Sequence, residues 1–131
     1  DLIVIVAGYT DPMNHFFESN PGLKSRFNYF INFENYSSTE LLDILETLAR
    51  KDDYQIEDKL KEILLNYFNE KLESNLTNFS NGRFVRNLYE DLIMNQAVRL
   101  NQSEDVNLKE LTLLIKDDFC LDENRSSDID L

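Results

Sequence analysis

The chain has 131 residues, enough for one compact domain or for parts of two. Its net charge of −12, from 13 basic and 25 acidic residues, argues against a nucleic-acid or anionic-membrane footprint. The longest apolar run, Leu2–Ala7, is far too short to span a bilayer. Cys120 and His15 are the sole cysteine and histidine, so neither an internal disulfide nor a metal or Cys–His site is expected, and a reducing, cytoplasmic setting fits.

Leu2-Ile3-Val4-Ile5-Val6-Ala7 is continuous and β-rich, the pattern of a strand buried on both faces of a parallel sheet. The chain opens at Asp1 inside that predicted strand, so a piece of a longer protein is expected. Residues 12–19 predict a short helix with Met13, Phe16 and Phe17 on one side. Asn20 and Pro21 predict the cap and first position of another, ending near Arg26. Residues 27–33, rich in Phe, Tyr and Ile, then read as a second strand.

Three helices follow. Ser37 and Glu40 form a capping box, opening a helix that buries Leu41, Ile44, Leu45 and Leu48. The next, over 57–72, aligns Leu60, Ile63, Leu64, Tyr67, Phe68 and Leu72. The third, over 83–100, aligns Val85, Leu88, Tyr89, Leu92 and Gln96. A polar loop, residues 73–81, separates the last two. Residues 108–111 and 113–119 predict one or two short closing helices. The final stretch is acidic: residues 101–131 hold nine acids and three bases, and the end reads as a solvated tail.

The predicted fold class is therefore an α/β remnant, two strands with short helices, followed by a mainly α-helical subdomain. Two parallel strands do not make a stable sheet alone. Residues 1–35 are accordingly expected to be the end of a larger α/β unit, 36–118 a helical subdomain and 119–131 a flexible tail.

Three places carry candidate chemistry. Thr10 stands where a buried strand emerges, the place where open α/β sheets bind ligands, and equally where a following helix is capped. Arg26 ends a short helix, where it either complements the helix dipole or projects to a phosphate. Arg83 and Arg86 share a polar stripe with Asn87 and Glu90 in the opening turns of the third bundle helix. Cations there oppose the dipole, which points to an external anion; an exposed Arg86–Glu90 pair explains the same residues.

Taken in order, the strings Val6-Ala7-Gly8-Tyr9-Thr10, Asn20-Pro21-Gly22-Leu23-Lys24-Ser25-Arg26-Phe27, Asn81-Gly82-Arg83-Phe84-Val85-Arg86-Asn87 and Gln96-Ala97-Val98-Arg99-Leu100 resemble the AAA+ ATPases of the CbbX and stage V sporulation protein K group. The resemblance runs from residue 3 to about 119. It implies a C-terminal portion comprising the end of the AAA+ core and its lid. Thr10 then falls at the sensor 1 position, Arg26 at the arginine finger acting in trans and Arg83 at sensor 2, with Arg86 in support. The family also implies ATP and magnesium in the intact protein, a hexamer with neighbouring AAA+ subunits, and a protein client. The sequence departs from the family in carrying Thr at sensor 1, where many members have Asn. It also departs in its glycines: Gly8, Gly22 and Gly82 do not make a phosphate-binding Gly-x-x-x-x-Gly-Lys-[Ser/Thr] loop. The chain alone is thus expected neither to hold ATP tightly nor to hydrolyse it. The alternative is a non-catalytic helical module whose arginine-bearing face binds an acidic partner.

Overall fold

A computed structural model describes residues 1–74 and 81–121. The chain divides into two compact units, Asp1–Asn35 and Tyr36–Leu131.

In the first unit, Thr10–Ser19 form α1, with extended Tyr9 as its N-cap and Asp11 in the first turn. Gly8 precedes it closely: a Cβ there would lie 3.0 Å from the Met13 side chain. The Phe17 ring is the centre of the unit, edge-on to Phe16, Phe27 and Phe30 at centroid distances of 5.4, 5.5 and 5.6 Å. Asn20-Pro21-Gly22-Leu23 is a turn rather than the predicted helix start. The Leu23 amide donates to the Asn20 carbonyl at 3.1 Å, and Gly22 has φ +88°, the type II arrangement that excludes a helix at that residue. Only Lys24–Arg26 wind further, as one 3₁₀ turn.

The apolar segments 2–7 and 27–33 form no ladder with each other, so the two strands expected there are absent from the described residues. Leu2, Ile5, Tyr29 and Phe33 are each more than four-fifths exposed. The physical reason is the one that made the sequence pattern legible: a strand apolar on both faces requires neighbouring strands and covering helices. The expected class, short helices with a pair of strands and a mainly helical unit, stands, but the parallel pair among the described residues lies at residues 55–56 and 113–114 rather than in these segments.

The second unit is a three-helix packing closed by a C-terminal segment. Ser38–Lys51 form α2, and both halves of its capping box are present: Glu40 N–H donates to Ser37 Oγ at 3.3 Å, and Ser37 N–H to Glu40 Oε2 at 2.8 Å. That contact holds the Glu40 carboxyl below its usual pKa, chiefly through the Ser37 backbone N–H. At the other end Tyr54 N–H reaches back to Ala49 and Asp53 N–H to Arg50, with Asp53 at φ +62°. This is a Schellman closure with aspartate in the left-handed position. Asp58–Glu73 form α3 and Asn81–Asn101 form α4.

The core is built on four-residue spacing. Leu41, Leu45 and Ala49 of α2 meet Leu60, Leu64 and Phe68 of α3 and Val85, Tyr89 and Leu92 of α4, all buried. After α4 come α5, Leu108–Leu111, and then a departure from the predicted terminal helices. Leu113–Leu114 form β2, parallel to β1, Gln55–Ile56, in the register Gln55↔Leu113 and Ile56↔Leu114. Lys116–Asp118 then make a 3₁₀ turn. Burial of Leu114 in the core and pairing with the chain leaving α2 override the local helical tendency. Phe119 packs edge-on to Tyr67 at 5.1 Å; residues 122–131 of the predicted tail and residues 75–80 of the predicted loop lie outside the described residues.

Candidate functional site

The candidate residues fall in separate units. Thr10 and Arg26 belong to the first, Arg83 and Arg86 to the second.

Thr10 is the first residue of α1 and is exposed. Its backbone begins the helix while Tyr9 supplies the cap carbonyl to Met13 N–H at 2.9 Å, so the Thr10 hydroxyl is not used in capping. Arg26 ends the 3₁₀ turn, its N–H bonded to the Leu23 carbonyl at 3.0 Å and its side chain exposed. Beside it, Leu2, Val4, Leu23 and Phe27 line a shallow groove.

Arg83 and Arg86 lie in the opening turns of α4, a helix with no acidic residue in its first turn. Both are exposed, and among the described residues neither has a carboxylate within salt-bridge distance. The Arg86–Glu90 pair that the sequence permits is therefore not formed. Gly82 has open space where a Cβ would sit. Two cations thus stand unneutralised at the positive end of a helix dipole, an arrangement that favours an anion. Arginine suits that task through its planar, permanently charged fork. Among the described residues there is no group of three or more side chains able to hold a metal ion.

Behind this exposed end, α4 carries a buried polar set that sequence reasoning did not assemble. Gln96 Nε2 donates to the carbonyls of Glu110, Leu111 and Leu113 at 3.2, 3.1 and 3.1 Å. Arg99 forks onto Asp118, Nε to Oδ1 at 2.7 Å and Nη2 to Oδ2 at 3.1 Å. Asp118 is fully buried, and its Oδ2 also accepts Ile115 N–H at 2.8 Å. The Asp118 hydrogen bond raises the Arg99 pKa, against an opposing effect of burial. Asn95 Nδ2 donates to the Asp118 carbonyl at 2.9 Å. Tyr89 Oη donates to Asp52 Oδ2 at 2.7 Å, tying α4 to the end of α2; burial, then that bond, raise the phenol's pKa. The available sequence signal was Gln96, a polar residue on an otherwise apolar stripe, with Arg99 one turn on.

The AAA lid domain family matches residues 37–129, which takes in the described second unit apart from Tyr36. The chain belongs to the AAA lid domain family. Stage V sporulation protein K of Bacillus subtilis is 38% identical over 96% of this chain and 39% of its own length. Protein CfxQ of Xanthobacter flavus is 38% identical over 79% of the chain and 32% of its own length. The chloroplastic ribulose bisphosphate carboxylase/oxygenase activase of Cyanidioschyzon merolae is 37% identical over 91% of the chain and 40% of its own length. The chain therefore spans two-fifths or less of these relatives and matches a C-terminal part of AAA+ proteins. Among the described residues no helix is long and apolar enough to cross a membrane.

Proposed function

We propose that this chain is the sensor-and-lid portion of a hexameric, cytoplasmic AAA+ ATPase that remodels a protein client. The reading is carried by one observation: Arg83 and Arg86 stand exposed and without a carboxylate partner, among the described residues, at the opening of a lid helix. Arg83 meets the phosphates of ATP held in its own subunit, with Arg86 adding charge from the next turn. Arg26, exposed at the end of its 3₁₀ turn, reaches the nucleotide of a neighbouring subunit. Thr10, with its hydroxyl free of capping duty, serves as sensor 1.

When bound, ATP with magnesium supplies the phosphoryl group to be transferred. This chain's residues supply the surrounding cations, and a finger arginine of this kind is worth about 10³–10⁵ in rate. The phosphate loop is not in these 131 residues, whose three glycines do not fit its spacing. The chain alone is accordingly inactive. A protein client is supported by the printed name of one relative, an activase of another enzyme.

Phosphate release measured with malachite green tests this. The chain alone should give none. The full gene product should turn over ATP, and its Arg26→Ala variant should lose turnover while binding ATP nearly as before. Magnesium-dependent release by the chain itself, or equal loss of binding and turnover in Arg26→Ala, contradicts the assignment. Capture of an acidic peptide by Arg83 and Arg86, with no response to ATP, would favour a plain interaction module.

A further inference from the structure

The exposed arginines sit at one end of α4, and the buried polar set grips its other end. A helix of 21 residues is about 30 Å long, so its two ends need separate fixing if its first turn is to hold a direction. Both fixings come from the same short segment. At the far end, Asp118 takes Arg99 through its carboxylate and Asn95 through its carbonyl. The very next residue, Phe119, lies 5.1 Å from Tyr67, and Tyr67 lies 5.8 Å from Phe84, the residue beside Arg83. The segment is itself held in place by β2 pairing with β1 and by Lys116 N–H donating to Glu57 Oε2 at 3.0 Å.

We infer that residues 113–119 are a strap that sets the direction of the first turn of α4, which makes Phe119, Asp118 and Arg99 positioning residues for Arg83. The strap touches no nucleotide. Phe119 acts through Tyr67 and Phe84; Asp118 and Arg99 act by fixing the helix at its other end. The role deepens the function proposed above and rests on it only for what Arg83 meets.

The test uses the 131-residue chain and amide hydrogen exchange by NMR. The informative amides are those of Val85–Tyr89, whose helical hydrogen bonds reach the first turn of α4. Phe119→Ala is compared with Leu48→Ala, a partly buried α2 residue outside the strap and packed on the same core, which reports the effect of general destabilisation. Loosening of the first turn should accelerate exchange at Val85–Tyr89 by about tenfold more in Phe119→Ala than in Leu48→Ala. Phe119→Tyr, which keeps the ring, should restore slow exchange. Equal acceleration in the two alanine variants, or no rescue by tyrosine, overturns the strap. Side-chain ¹⁵N shifts of Arg83 on adding magnesium-free ATP to the full gene product, which carries the rest of the nucleotide site, form a second arm. If Arg83 does not respond there, the nucleotide reading fails while the exchange result still decides the strap. If it responds and the response weakens in Phe119→Ala but not in Leu48→Ala, both stand; a response equally kept in both variants overturns the strap.

Discussion

Replacing Arg99 with alanine strips a fully buried carboxylate of its cation. The Asp118 carboxylate loses contacts of 2.7 and 3.1 Å and keeps the Ile115 N–H at 2.8 Å. Breaking a buried pair from one side costs about 3–5 kcal/mol, because the remaining charge is desolvated without compensation. The Arg99 side chain is 29% exposed, so water enters part of the vacated space and the lower figure, about 3 kcal/mol, is the better expectation. A unit of roughly 100 residues has about 5–15 kcal/mol in total, so the loss is a large fraction of its stability. Urea unfolding followed by far-ultraviolet circular dichroism should show a lower midpoint with an unchanged slope, and melting about 12–24 °C earlier. Removing both charges, as in Arg99→Met with Asp118→Leu, should recover most of the loss, leaving about 1 kcal/mol for the abandoned Ile115 N–H. A single-variant loss under about 1 kcal/mol would show that water already shares the pair.

Tyr89→Phe should cost about 1 kcal/mol through the lost bond to Asp52, read by the same denaturation. It also carries a pH signature. The folded Tyr89 pKa is raised by burial and by Asp52, so its contribution is complete below the unfolded tyrosine value of about 10 and falls away above it. Tyr67, raised by burial and then by Asp91, acts the same way, so Tyr89→Phe should reduce the alkaline decline without abolishing it. Ser37→Ala should destabilise by about 1 kcal/mol through loss of the capping box, checked by thermal melting. Glu40, held low by Ser37, contributes above the ordinary carboxylate pKa and loses its effect as pH falls through its own lowered value. In Ser37→Ala that acid-limb dependence should be smaller.

Periodicity carried the helical unit because each helix packs one stripe on one core. Leu41, Leu45, Leu60, Leu64, Phe68, Val85 and Leu92 were legible from spacing alone and are all buried. The Ser37–Glu40 box was legible because its partners are three residues apart. The β1–β2 pair was not: two-residue strands separated by some 57 positions leave no local pattern. Asp118 meets Arg99 for a similar reason, through a chain reversal that no local rule states. Asn20-Pro21-Gly22 suggests a helix start because Pro at the first helical position and Pro in a type II turn share one sequence pattern, and only φ +88° at Gly22 separates them. Apolar segments 2–7 and 27–33 read as strands because they are apolar on both faces, a pattern that stays extended in a sheet only where strands pair with it, and among the described residues none does. The exposure of Arg83 and Arg86 was foreseeable from their stripe. What they meet was named by resemblance, since charge spacing alone fits either a phosphate or an acidic surface.

The most direct test of the central claim is the ATP affinity of the full gene product, measured by titration calorimetry with and without Arg83→Ala. One charge-assisted contact to a phosphate is worth about 1.5–3 kcal/mol, so affinity should fall roughly 10- to 150-fold. Unchanged affinity together with unchanged turnover would remove Arg83 from the nucleotide and, with it, the sensor reading of this lid.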